Sequence, residues 1–295
     1  MRSFNVLARL AREIRDTALE ALLPAVCPSC REGLPGSSPG GICPACWNEV
    51  PVHAGRACVR CDLPFPADPG GMECAGEDGT AGPARAEVCA ACRTDPPPFS
   101  MLRAAAPYTG RMRRILKVFK FHDQPGLAGP LAMLMARRWQ ADAFHSCTGV
   151  DVVVCVPQRL WKRRARGYNP ASLLAARFAR GMGLPCRASM LQKTRWTPDQ
   201  ARIHTIPRRA ANVAGAFTVP PRRTHRLLGR RVLLVDDVVT TGATASACSR
   251  ALIEAGALEV VVLAAARTPR IILARGLVQP PRPRRTLGAL SNGPD

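Results

Sequence analysis

Four C-x2-C pairs crowd one stretch of this chain: Cys27/Cys30, Cys43/Cys46, Cys58/Cys61 and Cys89/Cys92. Each such knuckle holds two thiolates on one tight turn, and two knuckles complete a tetrahedral site with Zn–S bonds of about 2.3 Å. Eight ligands therefore predict two zinc ions. The intervening lengths of 12, 11 and 27 residues suit consecutive zinc ribbons, one site from the first two pairs and one from the last two, although other pairings satisfy the spacing too. Cys74 belongs to no knuckle. An all-cysteine shell leaves no open coordination position, so both metals read as structural. Few large apolar residues lie between Cys27 and Cys92, and metal binding then supplies much of the folding free energy there. The alternatives are a disulfide framework, which needs an oxidising compartment, and redox catalysis, which needs a C-x2-C opening the helix of a βαβ unit. Neither context is visible. Residues 1–23 carry Glu13, Asp16 and Glu20 inside an apolar stripe, so they lack the uninterrupted core of a secretory signal. They read instead as an amphipathic helix within residues 1–25, stopped by Pro24, and the expected address is cytoplasmic. No apolar run approaches the roughly 18 residues of a spanning helix, so no membrane insertion is expected.

Charge divides the chain. The net charge of +21 is distributed as −3 over residues 1–100 and +24 over the remainder. The basic part should meet phosphates or polyanions, the plain alternative being an arginine-rich composition whose side chains are simply solvated. With 47% apolar and 21% charged residues the chain has an ordinary globular composition. After a proline-rich linker at residues 95–99 the pattern alternates. Strands are expected at 102–108, 151–156, 231–235 and 259–266. Helices are expected at 111–121, 127–144, 169–182 (Asn169 as N-cap, Pro170 in the first turn) and 243–255. The fold class is α/β: a parallel sheet with helices on both faces, preceded by a small double zinc ribbon. The expected organisation is an N-terminal helix at 1–25, the ribbon at 26–94, the α/β domain at 95–268 and a disordered Pro/Arg-rich tail at 269–295.

One segment carries chemistry. Residues 232–244 read VLLVDDVVTTGAT: a buried strand, two acids, then a small hydroxyl-rich turn opening a helix. Ligands of open α/β sheets sit beyond strand carboxyl ends, and a helix N-terminus with bare N–H groups holds anions. Asp236 and Asp237 suit the 2′,3′-diol of a ribose. Thr240, Thr241, Gly242, Ala243 and Thr244 can wrap its 5-phosphate, with Gly242 allowing close backbone approach. Paired acids after a strand can also be mere helix caps.

This segment resembles the 5-phosphoribosyl-1-diphosphate (PRPP) signature of type I phosphoribosyltransferases, and nearly the whole chain resembles the ComF family of competence-associated proteins. The resemblance rests, in order, on the double zinc ribbon, Tyr108-Thr-Gly-Arg111, Lys120-Phe-His-Asp123, Val156-Pro157, Arg166-Gly-Tyr-Asn169, Thr197-Pro-Asp-Gln200, Arg209 with Asn212-Val-Ala-Gly-Ala-Phe217, and Val235 to Thr244. Departures are Pro170 where the family usually has Gln, Asp62 where a Gly commonly follows the third knuckle, the 27-residue gap, and the tail after Thr268.

The resemblance implies PRPP binding with Mg²⁺, and pentosyl transfer as the reaction if catalysis is retained. Asp236 and Asp237 would hold the ribose hydroxyls, residues 240–244 the 5-phosphate, and Arg163, Arg164 and Arg166 would lie near the diphosphate, unless they form only a solvated loop. No catalytic acid or base is identified, and His122 reads more readily as a surface residue than as a base. The acceptor is not visible. With no glutaminase cysteine at its N-terminus, the chain is not expected to be the purine-pathway amidotransferase. The resemblance also implies a part in DNA uptake, with single-stranded DNA and an uptake helicase as partners. The rival reading is a non-catalytic accessory that binds single strands or senses nucleotides. Trp161, Tyr168 and Trp196 among arginines suit base stacking or simple packing. Cys147, Cys155, Cys186 and Cys248 read as core residues.

Overall fold

The computed structural model describes residues 25–35, 38–52, 56–65, 87–141, 149–158, 167–194 and 215–269. The expected N-terminal helix, Cys74, Cys147, Trp161, Arg163, Arg164, Arg166, the segment from Trp196 to residue 214 and the tail from residue 270 lie outside them.

The sheet forms where β-branched and small apolar residues run together. Two short helices in the ribbon, α1 (Pro44–Asn48) and α2 (Ala90–Thr94), precede the first strand, β1 (Met101–Pro107). Helix α3 (Gly110–Phe121) follows, and Met112, Ile115, Leu116, Val118 and Phe119 fall on its buried face at the three-to-four-residue spacing of an amphipathic helix. A 3₁₀ turn at Pro125–Leu127 leads into α4 (Ala128–Gln140), a shorter helix than the residues 127–144 expected. Strand β2 (Val152–Cys155) is buried at every residue, and α5 (Pro170–Gly181) starts at Asn169, whose side-chain oxygen accepts the Ala171 N–H at 3.2 Å. A small hairpin of β3 (Gln192–Lys193) and β4 (Phe217–Thr218) and the short α6 (Pro221–Thr224) come next. Strand β5 (Arg231–Val239), α7 (Ala243–Glu254) and β6 (Glu259–Arg267) complete the domain.

The main sheet has the order β1-β6-β5-β2 and is parallel throughout. Helices α3, α4 and α5 cover one face, packing Phe119, Leu131, Trp139 and Phe178 against Leu233, Val235 and Leu263 together with the first ribbon's Ile42 and Cys46. Helix α7 covers the other face, with Cys248 and Leu252 against Val232, Leu234 and Val262. Both edges are also closed. Along β2, Val153 exchanges hydrogen bonds with the segment after α5, through Pro185 and Arg187. Along β1, the third zinc knuckle does the work: Leu102 N–H donates to the Arg60 carbonyl, and Ala104 N–H to the Asp62 carboxylate, each at 2.8 Å. An uncovered edge strand invites mispairing, and here the metal-held turn blunts it.

The strand expected to stop at Val235 runs four residues further. Register with β6 continues through Asp236↔Ala264, Val238↔Ala266 and Val239↔Arg267, so both acids are strand residues and the turn begins only at Thr240. Opposite them β6 offers Ala264, Ala265 and Ala266, whose small side chains leave room for two carboxylates inside a sheet.

Candidate functional site: two cysteine clusters and an acidic strand end

The two ribbons are built alike. In each, one knuckle is a tight turn and the other opens a short helix, with Cys43 and Cys89 as the N-cap residues of α1 and α2. The Cys43 N–H reaches Cys27 Sγ at 3.4 Å, and the Cys89 N–H reaches Cys58 Sγ at 3.3 Å. The sulfurs group as Cys27, Cys30, Cys43, Cys46 and as Cys58, Cys61, Cys89, Cys92, all within 4.8 Å of one another inside each group, so the consecutive pairing is the one the fold adopts. Separations of 3.9 Å (Cys27–Cys46), 3.6 Å (Cys30–Cys43) and 3.8 Å (Cys61–Cys89) match the edge of about 3.8 Å of a tetrahedron with zinc–sulfur bonds.

Electrostatics make the same demand. Burial raises the Cys46 thiol to about 12 and the Cys61 thiol to about 11. Burial acts on Cys27 and Cys58 as well, but backbone N–H donors, Cys43 first for one and Cys89 first for the other, outweigh it and hold them at about 6 and about 7. Four thiolates in one pocket need a dication, and the residues fit zinc in both ribbons.

The residue after the first and third knuckles is left-handed, φ 71° at Arg31 and 56° at Asp62. That geometry explains why glycine suits the position, and Asp is among the few side chains that tolerate it. Asp62 is 2% exposed; one carboxylate oxygen takes the Ala104 N–H and the other pairs with Arg138 Nη2 at 3.3 Å. The departure from glycine thus fastens the second ribbon to β1 and α4.

At the carboxyl end of β5, Asp236 is buried and accepts the N–H of Asp237 at 2.8 Å. Burial, then the neighbouring Asp237 charge, raises its carboxyl to about 8. Asp237 Oδ1 pairs with Lys120 Nζ at 2.9 Å, both side chains about five-sixths buried. Lys120 sits in the last turn of α3, whose apolar stripe lies on the sheet, so a long side chain from that turn reaches the strand end. Tyr168 hydroxyl donates to the Phe119 carbonyl and its ring lies on Phe119, so Tyr168 packs rather than offering a stacking surface. The amide of Asn169 donates to the Val156 carbonyl at 3.1 Å, tying the start of α5 to the end of β2.

The turn then enters α7 through Gly242 as N-cap at φ 88°, with no side-chain cap. A side chain there would be strained, which gives the sequence its glycine. Thr241 Oγ1 accepts the Ala243 N–H at 3.3 Å. Helix start, hydroxyls and acid pair lie together, an arrangement suited to an anion beside a polyol. Behind the turn a cleft of about 570 Å³ opens between α7, the linker and the second ribbon, lined by Phe99, Phe217, Thr241, Arg250 and Arg267 among others. Cys155 and Cys248 are buried and Cys186 half-buried in the core, as expected, while His122 is exposed.

These features define a phosphoribosyltransferase-fold protein carrying a double zinc ribbon. Residues 18–93 match the double zinc ribbon domain family and residues 127–271 the phosphoribosyl transferase domain family. The DNA utilization protein YhgH of Salmonella typhi is 30% identical over 83% of this chain and 98% of its own length. YhgH of Escherichia coli K12 is 30% identical over 61% of this chain and 78% of its own, and Competence protein F of Haemophilus influenzae 28% over 62% and 79%. The chain belongs to the ComF family. Among the described residues no helix is long and apolar enough to cross a membrane.

Proposed function

We propose that this protein binds PRPP, or a related ribose 5-phosphate, with Mg²⁺ at the carboxyl end of β5 and serves the handling of incoming DNA. The observation that carries the ligand is the Asp236–Asp237 pair at a strand end, five residues before a left-handed glycine that opens a helix without a side-chain cap of its own. Carboxylates accept from the ribose diol, and the backbone and hydroxyls of residues 240–244 hold the 5-phosphate. Mg²⁺ on the diphosphate would neutralise the leaving group in a pentosyl transfer, and Arg163, Arg164 and Arg166 are the cations proposed beside it. Lys120 pairs with Asp237 and holds its side chain aligned until the ligand arrives. In this reading the zinc ions are structural and the chemistry, where retained, belongs to the α/β domain.

The relatives' names, DNA utilization and competence, support the cellular role. The net charge of +24 beyond residue 100 supports contact with DNA, single strands being the proposed form and an uptake helicase the proposed partner. Titration calorimetry with PRPP and Mg²⁺ tests the site. Binding by the wild type and its loss in the Asp236→Asn/Asp237→Asn variant is the expected result, whereas equal affinity with unchanged melting would reduce the pair to a capping role. Diphosphate release measured with and without single-stranded DNA then separates the transferase from the accessory reading.

A further inference from the structure

The two zinc ribbons face different surroundings. Cys27, Cys43 and Cys46 of the first belong to the apolar cluster of α3, α4 and α5. Among the described residues the second ribbon's cysteines cluster with just Leu63, Phe65 and Val88. What the α/β domain turns toward this ribbon is cationic. Arg103 Nη1 donates to the Val59 carbonyl at 2.7 Å inside the third knuckle, and Arg138 pairs with Asp62.

Arg267, at the end of β6, is the third cation. It is 3% exposed, it lines the cleft together with Cys61 and Cys92, and its Nε and Nη1 have no hydrogen-bond partner among the described residues. A buried guanidinium with unused donors is costly unless an anion faces it. Burial lowers its pKa, and the charges that oppose this are those of Cys61, Asp62, Cys92 and Cys58. Three of these four groups are ligands of the second cluster. A zinc ion with four thiolates carries a net charge of about −2, so the anion the guanidinium needs is the metal centre itself.

We propose that Arg267 is the counter-charge of the second zinc centre, a positioning residue whose buried guanidinium balances the thiolate shell of Cys58, Cys61 and Cys92 by its charge. This goes beyond the ligand site and rests only on zinc occupying the second ribbon. The cation beside the first ribbon, Arg111, differs in that it already pairs with the Glu49 carboxylate. Arg267 is also joined to the strand end: its carbonyl accepts the Tyr108 N–H at 2.7 Å, and the next residue, Thr268, donates to the Val239 carbonyl at 2.9 Å. The ribbon is thereby anchored within one residue of the turn that opens at Thr240.

Transfer of zinc from the full chain to a chromophoric chelator tests this. Removing an outer-shell partner weakens metal binding about 10- to 100-fold. In Arg267→Met one of the two zincs should therefore leave at least about tenfold faster than in the wild type, the other at its original rate. The effect should vanish in a Cys58→Ala background, where only the first site remains. Cobalt-substituted protein gives a readout that mere loosening would not: losing a positive charge beside the sulfurs should move the thiolate-to-cobalt charge-transfer band to lower energy. Wild-type release of both zincs in folded Arg267→Met, or equal acceleration of both, overturns the proposal. Should Arg267→Met not fold, the neutral but polar Arg267→Gln decides in the same assay. Selective faster loss of one zinc sustains the proposal, and wild-type rates for both refute it.

Discussion

Replacing Asp236 by Asn should stabilise this protein, and by more as the pH rises. Its carboxyl, ordinarily near 3.8, is raised to about 8 in the folded chain by burial and then by Asp237. Between those values the folded state binds a proton that the unfolded state has released. Stability contributed by this group is therefore complete below the unfolded pKa and lost as pH climbs toward the folded one. Each unit is worth about 1.4 kcal/mol. From about pH 5.5 to about pH 7.5 the wild type should lose on the order of 2 kcal/mol that the Asn variant keeps, a widening of several degrees in Tm for a domain of this size. Asn retains the oxygen that accepts the Asp237 N–H, so the local backbone bond survives the change. Calorimetric melting of zinc-loaded wild type and variant across that range is the assay, since the thiolates titrate equally in both and cancel in the difference. Parallel Tm-against-pH curves would refute the reasoning, and with it the upward shift that burial and Asp237 impose on Asp236. A gain in stability accompanied by loss of PRPP binding is the expected pair of outcomes, the exchange usual at strained functional groups.

Lys120→Met should cost about 1 to 3 kcal/mol in urea unfolding at neutral pH, because Asp237 then keeps a mostly buried charge without its cation; an unchanged midpoint would show the pair to be incidental. Asp62→Gly relieves the left-handed φ yet removes the acceptor of Ala104 N–H and Arg138, so a net loss of about 2 to 4 kcal/mol is expected, with Asp62→Asn milder. Elemental analysis should find one zinc fewer in Cys58→Ala and both retained in Cys74→Ala, and the reverse pattern would break the assignment of the second site. Retention of single-stranded DNA should weaken steeply with salt, as arginine–phosphate contacts release counterions, and binding indifferent to salt would contradict the charge argument.

The parts of this molecule legible in its sequence are those with a local cause. Knuckle spacing fixes which cysteines share a turn, continuous apolar runs mark the strands of a parallel sheet, and Asn169-Pro170 announces a helix start that the structure reproduces to the residue. The signature after β5 was readable for the same reason: a glycine that must be left-handed and a hydroxyl-rich turn are written in consecutive residues. Strand length was not. Nothing within 231–239 says that Asp236 and Asp237 stay paired in the sheet, because the permission comes from three alanines of β6, 28 residues away along the chain.

Charge placement across elements was the other thing hidden. Lys120 and Asp237 are 117 positions apart, Asp62 and Arg138 76, and each pair forms only because a helix end or a metal-held turn is brought to the sheet. The sequence contained the clue at Asp62 without its meaning. An acid stands where the backbone prefers glycine, a substitution that costs conformational energy and so calls for a compensating contact. That contact is the exposed edge of β1. The ribbon therefore does more than carry zinc, since one of its turns supplies the carbonyl of Arg60 and the carboxylate of Asp62 that finish the sheet. Loss of the second metal should accordingly be felt along β1 before it is felt along β2 on the far edge, where the Pro185 and Arg187 contacts are independent of any cysteine ligand. Hydrogen exchange on chelator-treated protein can follow that order, with Leu102 and Ala104 exposed first and Val153 still protected. Simultaneous loss of protection at both edges would mean that the ribbon and the sheet unfold as one unit.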